Sequence, residues 1–359
     1  MPVNELTRRL LKWIGYPLFA LLMFVVFFYV TFPYHKLSER IEQYAASKMG
    51  VELQIEDVGP APLVGLSMDN VLVVRRPKAT PVPEHLRNQE QGGAPAKPKV
   101  MRLVLDQVTV KVGLIAALSG TQQVFFDVEG FGGTVEGMYG VNKKRGWEAK
   151  LELDGISLKE IPGVKQAVGL PIAGRLTADV GLKVPRHRWS EASGSISLSC
   201  EGCTVGDGKT KLKLASSSNA LLRMGIKMPR IRLGQFGGEI AIEKGKASLQ
   251  NLSAKSPDVE VKMEGSFDLR NPVSFSVAQA YLKFKVSPEL KKRDAKFELL
   301  EGGLQNAKRP DGFFGMRVNG PLRKLQIVPS RLGPPSGGAG GRGGSPRGGP
   351  PGRRFRAGG

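Results

Sequence analysis

Cys200 and Cys203 are the only cysteines of this 359-residue chain, and they form the motif C-x-x-C. Such a pair can bind a metal, exchange thiols with a disulfide or form a structural disulfide. A zinc site needs four ligands, and the chain has no second cysteine pair to supply the rest. A redox role would need a thioredoxin-like strand and helix around the motif, which the flanking sequence does not indicate. Outside the cytoplasm, this spacing favours a structural disulfide across a tight turn.

The other residue types that support catalysis do not form a recognisable motif. His35, His85 and His187 are far apart, and no H-x-x-x-H, G-x-S-x-G or paired-carboxylate motif is found. The segment "GDGKT" at 206 resembles a phosphate-binding loop, but that motif requires glycine at position 203, where this chain has Cys203. We therefore expect no catalytic residue, no metal ligand and no cofactor, and we expect that the chain is not an enzyme.

The chain is strongly basic, with a formal net charge of +21 and a pI of about 10.0. Such a charge is compatible with nucleic acid, anionic lipid or acidic protein as a partner. Residues 330–359 are rich in Gly, Pro and Arg, and we expect this tail to be disordered. Within it, Arg347, Arg353, Arg354 and Arg356 are candidates to bind an anionic surface.

Three roles are open for the arginine-rich tail. It resembles RGG segments that bind RNA, it could bind phosphate-bearing lipid headgroups, or it could only increase solubility. The expected topology places the tail in a compartment without RNA. We therefore favour lipid headgroups and expect no nucleic-acid partner.

The N-terminal region predicts a membrane anchor. Residues 13–32, "WIGYPLFALLMFVVFFYVTF", contain no charge, and a 20-residue helix spans about 30 Å, the thickness of a bilayer's hydrocarbon layer. A cleaved signal peptide would have a shorter apolar region and a small-residue cleavage site, which "TFPYHKL" lacks. Because Arg8, Arg9 and Lys12 precede the span, we expect residues 1–12 in the cytoplasm and the rest of the chain outside it. The predicted location is a bacterial inner membrane, crossed once, with most of the chain in the periplasm.

The remainder of the chain predicts a mainly β protein. Residues 33–50 have apolar residues at helical spacing and end at Gly50, which favours a short helix with a left-handed C-cap. From residue 51 to 329, alternating segments separated by short Gly, Asn, Asp or Pro turns predict a long, curved antiparallel β-meander. Proline-rich residues 77–99 predict a mobile loop within it. Two helical insertions are predicted, one around residue 157 and one from Ser287 to about Gly303.

The stretch "DVEVKMEGSFDL" at 258–269 shows why this meander is informative. In an extended chain its apolar side chains share one face and its charged side chains the other. The apolar set is Val259, Val261, Met263, Phe267 and Leu269. Few helices are predicted to cover such a face. We therefore predict a sheet that folds partly over itself and leaves an apolar groove.

Several of these segments resemble the protein N family of the type II secretion system (GspN). They are "LSERIEQYAASKMGVELQIEDVGPAPLVGLSMDNVLV", "GLPIAGRLTADVGLKV", "FGGEIAIEKGKASLQNLSAKSPDVEVKMEGSFDLRNPVSFSVAQAYLKFKVSPEL" and "VNGPLRKLQIVPS". The first of them, after the anchor, is also similar to the AsmA group of envelope proteins. The loop at 77–99 and the arginine-rich tail are not typical of either family.

The resemblance implies two functions from different classes. The first is an inner-membrane, periplasm-facing accessory of the apparatus that exports folded proteins across the outer membrane, in contact with other secretion components and membrane lipids. The second is an AsmA-like protein that binds or transfers lipid along its β-groove. We expect the first function and keep the second as the alternative.

Overall fold

The computed structural model describes residues 5–61, 65–75, 101–113, 116, 120–161, 164, 170–212 and 226–333. Three predictions of the sequence lie wholly or largely outside these residues. They are the proline-rich loop at 77–99, the tail beyond residue 333 and most of the helical insertion around residue 157.

Four α-helices are found in the described residues: α1 (Glu5–Thr31), α2 (His35–Tyr44), α3 (Pro288–Arg293) and α4 (Lys296–Gly303). A π-helical turn, Ala45–Met49, extends α2 and ends at Gly50, whose φ of 64° confirms the predicted left-handed cap. None of the helices in the described part of the chain is long and apolar enough to cross a membrane.

Sixteen strands are found in the described residues. They are β1 (Glu52–Ala61), β2 (Gly65–Arg75), β3 (Met101–Val112), β4 (Gln122–Gly130), β5 (Gly133–Asn142), β6 (Gly146–Ser157), β7 (Ile172–Pro185), β8 (Ser193–Val205), β9 (Lys211–Leu212), β10 (Ile226–Lys227), β11 (Ile231–Glu243), β12 (Lys246–Lys255), β13 (Val259–Asp268), β14 (Val277–Val286), β15 (Phe314–Pro321) and β16 (Gln326–Pro329). The short strands β9 and β10 pair only with each other.

The other fourteen strands form one antiparallel sheet in chain order, so the predicted meander is confirmed. The predicted partial closure of the sheet is wrong, because β1 and β16 are two separate edges of an open sheet. The edges differ in their protection. Glu42 of α2 accepts a hydrogen bond from the backbone N–H of Ile55 in β1 at 3.0 Å, whereas β16 is only four residues long.

Several strands of the sheet contain β-bulges. The pairing register shifts after Leu105 in β3, after Leu153 in β6 and after Leu249 in β12. A bulge inserts one extra residue and thereby reverses which face the following side chains occupy. In β12 the bulge contains Asn251, whose φ is 51°. As a result, Leu249 and Leu252 both lie on the apolar face. Such bulges increase the local twist and bend the sheet.

The three clusters of buried apolar side chains lie at β6 and later strands, and Val58, Ala61, Val71 and Val74 are also buried, on β1 and β2. Leu290 of α3 and Phe297 of α4 pack on Val286 of β14, and Leu304 and Ala307 pack on the neighbouring β15. Ser287 caps α3 by accepting a hydrogen bond from the N–H of Leu290, with Pro288 at the first helical position, as predicted. The insertion is therefore two short helices separated by Asp294 and Ala295.

Candidate functional site

One face of the sheet is apolar across its strands. The cross-strand pairs place apolar side chains directly opposite one another on consecutive strands, in rows that run perpendicular to the strands. The first row consists of Val58, Met68, Val108, Val128, Val135, Leu153, Ala178 and Leu198. The second row consists of Leu66, Val110, Phe126, Gly137, Leu151, Val180, Ile196, Ile240 and Leu249. We call this surface the apolar face.

Gly137 has no side chain, but neighbouring apolar side chains fill its place in the second row. The ring of Phe126 and the side chain of Leu151 occupy the space that a side chain at position 137 would need. A glycine at this position therefore allows the aromatic ring to lie flat across the strand, and the row remains apolar.

The opposite face is polar and carries a row of carboxylates. Asp127, Glu136, Glu152 and Asp179 are directly opposite one another on β4 to β7, and all four are exposed. Like charges in this arrangement repel each other, and water screens the repulsion only while the face stays wet. This surface, the polar face, is therefore the solvated side of the sheet.

The groove residues predicted from the sequence all belong to β13 or its C-terminal end. Val261, Met263 and Phe267 are half-buried and alternate with exposed Lys262 and Glu264, as the two-residue period requires. Val259 is buried. Leu269 packs against a buried cluster that contains Val184, Ala192, Ile242 and Ala247.

The apolar face is covered unequally. At the later strands the helices α3 and α4, the segment around Leu304 and the turn containing Trp189 pack on it and bury side chains. The three buried clusters draw their side chains from β6 onward and include none from β3, β4 or β5. On these three strands the described apolar side chains are half-buried or exposed.

The open part of the apolar face was not singled out in the sequence. Its central residues are Val108, Val110, Phe126, Val128, Val135 and Leu151, all half-buried. The alternation in "RLVLDQVTVKV", "QVFFDVEG", "GGTVEGMYG" and "WEAKLELDGI" could have identified them, because it follows the same pattern as the stretch around Val261. What the alternation could not indicate is which strands the helices leave uncovered.

A charged cluster fixes the cover formed by α3 and α4. The carboxylate of Asp258 is 1% exposed and accepts bonds from the guanidinium groups of Arg232 and Arg293, each at 2.9 Å, and from the backbone N–H of Arg232 at 2.9 Å. Hydrogen bonds from Arg232, and then from Arg293, hold the pKa of Asp258 well below its usual range, although burial opposes them. The cluster connects the β12–β13 turn, the start of β11 and the end of α3.

Cys200 and Cys203 are paired with each other in β8, and both are buried. Gly174 of β7 lies beside them with a φ of 140°, and a side chain there would collide with both sulfur atoms. The cysteines therefore belong to the packed interior, where neither sulfur is exposed to a ligand.

Within the described residues, no group of three or more His, Cys, Asp or Glu side chains could hold a metal ion. The two described histidines predicted to be isolated, His35 and His187, belong to α2 and to the β7–β8 turn, at separate places in the fold.

Comparison of the chain with known protein families, with curated proteins and with solved structures gives no match.

Proposed function

We propose that this chain is a membrane-anchored protein of the cell envelope that binds the acyl chains of lipids on its apolar face. The observation that carries the proposal is the pair of apolar rows across β3 to β8, where the described side chains are mostly half-buried. An exposed apolar surface of this extent is typical of a ligand-binding or partner-binding site. A lipid suits this surface, because the two rows run without a break across neighbouring strands, which a long acyl chain can follow.

The dimensions and energies of the face suit an acyl chain. Six strands about 4.8 Å apart span about 24 Å, which exceeds the roughly 15 Å depth of one bilayer leaflet's hydrocarbon. Burial of a methylene group contributes about 0.8 kcal/mol. An acyl chain of about sixteen carbons that buries half its surface on the face would gain about 6 kcal/mol by the same rule.

The proposed anchor is the charge-free segment 13–32, and this part of the proposal rests on the sequence, since no described helix is long and apolar enough to cross a membrane. From Trp13 to Phe27 its large apolar side chains are exposed; for example, Trp13 is 82% and Phe27 69% exposed. Burial of such a surface in a bilayer removes it from water. With Arg8, Arg9 and Lys12 on the cytoplasmic side, the sheet would lie in the periplasm, next to the inner membrane from which it could take lipid.

Site-specific photo-crosslinking in cells tests lipid binding on the apolar face. A photoreactive residue replaces Val135, or its neighbour Glu136 on the other face of β5. We expect lipid adducts of the full chain at position 135 and not at position 136. Equal labelling at the two positions, or none at position 135, would contradict the proposal.

A reporter fusion tests the proposed topology separately. A periplasm-dependent enzyme fused after Pro329 should be active, because residues beyond the anchor are expected outside the cytoplasm. Activity of a cytoplasm-dependent reporter at the same junction would overturn the orientation while leaving the apolar face untouched.

An accessory role in type II secretion is the second candidate. It is favoured by the order of elements, with the juxtamembrane helix α2 followed by a meander over the full length of the resemblance. In this role other secretion components would be its partners. Deletion of the chain should then retain exported enzymes in the periplasm, and normal export in the deletion strain would exclude a required role.

A further inference from the structure

The hairpins of the sheet turn alternately at two opposite ends. The chain enters β1 from α2 at one end, which we call the entry end. The loops β5–β6, β7–β8, β11–β12, β13–β14 and β15–β16 all lie at the other end, since every strand pair is antiparallel. We call these five loops the basic rim; they comprise residues 143–145, 186–192, 244–245, 269–276 and 322–325.

The rim carries a large excess of positive charge. Its exposed basic side chains are Lys143, Lys144, Arg145, Arg186, Arg188, Lys244, Arg270 and Arg323. Glu191 is the one acidic residue in the five loops, and it pairs with Arg186 at 2.6 Å and Arg188 at 3.5 Å. At the flanking strand ends, Glu243 and Asp268 are accompanied by Lys246, so the excess remains.

The loops at the entry end differ in charge pattern. There, α3 and α4 carry both signs in close pairs, such as Lys291 with Glu301 at 2.6 Å and Lys296 with Asp294 at 3.7 Å. The basic residues of the rim, apart from Arg186 and Arg188, have no such carboxylate in their loops. The rim therefore gathers basic side chains in five neighbouring loops with a single acidic residue, whereas the exposed lysines of the entry end, such as Lys209, Lys227 and Lys292, lie in segments that also contain carboxylates.

Hydrogen bonds join four of the rim loops into one surface. The N–H of Trp189 donates to the side-chain oxygen of Asn271 at 2.9 Å, and the Asn271 amide donates to the carbonyl of His187 at 3.2 Å. The N–H of Gly245 donates to the carbonyl of Ala192 at 2.8 Å, and that of Leu322 to Ser276 at 2.9 Å. The basic side chains are thus presented by a preformed edge.

The residues at two rim turns conflict with local backbone preference. Arg186 and His187 have φ values of 51° and 58°, and the N–H of Arg188 donates to the carbonyl of Pro185 at 2.9 Å, which closes a two-residue turn. Asn and Gly are strongly preferred in such turns. Lys244 also has a positive φ, 47°. Arg186 and Lys244 occupy these positions although Asn or Gly would fit the backbone better. This indicates that their positive charge has a function.

Exposed apolar side chains accompany the charges. Val273, Phe275, Leu322 and Leu325 are each more than a third exposed. The guanidinium of Arg323 lies 4.1 Å from the ring centroid of Phe275. Basic residues interleaved with aromatic and aliphatic side chains are typical of surfaces that bind the interface of an anionic membrane. A polynucleotide would use the charges but gain nothing from the aliphatic residues.

We propose that the basic rim binds the surface of an anionic lipid bilayer other than the one that holds the anchor. This inference rests on the proposed anchor at the entry end. The main-sheet strands from β5 to β14, which join the two ends, are 10 to 14 residues long, which corresponds to about 33 to 46 Å. The sheet would then hold its apolar face between two lipid surfaces.

A vesicle-capture experiment tests the rim. The full chain is reconstituted into phosphatidylcholine vesicles. These are mixed with fluorescent vesicles that contain either about 30% phosphatidylglycerol or no anionic lipid. Flotation of the chain with the phosphatidylcholine vesicles shows that the anchor is inserted. Co-flotation of the fluorescent vesicles shows that the rim binds them. We expect capture of the anionic vesicles only, with loss of capture at high salt.

Matched variants locate the binding surface. The rim variant carries Lys144→Gln, Lys244→Gln, Arg270→Gln and Arg323→Gln; the control carries Lys209→Gln, Lys211→Gln, Lys227→Gln and Lys292→Gln, all exposed at the entry end. We expect at least tenfold weaker capture by the rim variant, since each basic residue near an anionic surface contributes roughly fivefold. The control should retain capture.

Three results would overturn the proposal. They are equal loss in the two variants, equal capture of neutral vesicles, and capture that persists in the rim variant. Binding of a labelled RNA to the rim without capture of anionic vesicles would assign the rim to a polynucleotide instead. If the chain fails to float with its own vesicles, the anchor is wrong; the rim is then tested by direct flotation of the chain with the anionic vesicles.

Discussion

The two halves of the apolar face have the same side-chain pattern and different surroundings. Around β13 to β15, the helices α3 and α4 bury the face, and Leu290 has no exposed surface. On β3 to β5, equivalent side chains such as Val128 and Val135 remain half-buried. The alternation of a strand thus determines which residues share a face, whereas the insertions between strands determine whether that face is a core or a binding surface.

Truncation of a covered side chain should give the largest effect on stability. We expect Leu290→Ala to lower the free energy of unfolding by about 3 kcal/mol, because it leaves a cavity beneath α3. Leu153→Ala, on the open part of the face, should cost about 1 kcal/mol or less, because part of its surface is already in water. Chemical denaturation of the two variants measures the difference, and equal losses would contradict the division of the face.

Removal of the Asp258 charge should weaken the attachment of α3 to the sheet and lower the free energy of unfolding. We expect Asp258→Asn to cost about 2 to 4 kcal/mol at neutral pH, since charged hydrogen bonds from two arginines are lost. The matched control is Glu260→Gln, whose pair with Lys262 is partly exposed and contributes less than about 1 kcal/mol.

The effect of Asp258 should depend on pH in a defined direction. Its folded-state pKa is depressed, so the unfolded chain binds more protons, and this contribution to stability is present above the unfolded pKa of about 3.9. It is lost as the pH falls through the folded pKa. The stability difference between the parent chain and Asp258→Asn should therefore shrink below about pH 4, and a difference that grows in acid would contradict the account.

The cysteine pair should have a smaller effect. The bridge closes a loop of only four residues, for which the chain-entropy relation gives about 2 kcal/mol. We expect the double variant Cys200→Ala, Cys203→Ala to lose about this amount, and mass analysis of the unreduced parent chain to show Cys200 bonded to Cys203. Free thiols with one equivalent of zinc would reverse that assignment.

The sequence predicted the meander well, because period-two alternation and short turns depend only on local spacing. It also located the cap at Ser287 and the glycine, Gly50, that ends the π-helical turn after α2. It did not predict that the sheet stays open, since the positions of the edges depend on contacts between distant residues. Tyr281 shows the same limit, since it lies on the polar face of β14 and is nevertheless fully buried. Its hydroxyl donates a hydrogen bond to the carbonyl of Ser330 and accepts one from the guanidinium of Arg309.

Bulges also limit how well the sequence predicts which face of the sheet a side chain occupies. In "KASLQNLSAK" the apolar residues change phase between Leu249 and Leu252, which by period alone places them on opposite faces. The positive φ of Asn251 restores them to one face. Alternation is also unbroken between β4 and β5. What separates the predicted groove on β13 from the open part of the face is the cover formed by α3 and α4, which alternation does not indicate.

Two adjacent phenylalanines provide the most direct test of lipid binding by the apolar face. Phe126 belongs to the second apolar row, whereas Phe125, 42% exposed, lies on the polar face. The measurement is the lipid content of the purified full-length variants Phe126→Glu and Phe125→Glu, extracted and quantified per mole of folded protein. We predict that Phe126→Glu loses the bound lipid and that Phe125→Glu retains it. Equal lipid content in the two variants, or no lipid in the parent chain, would contradict the account.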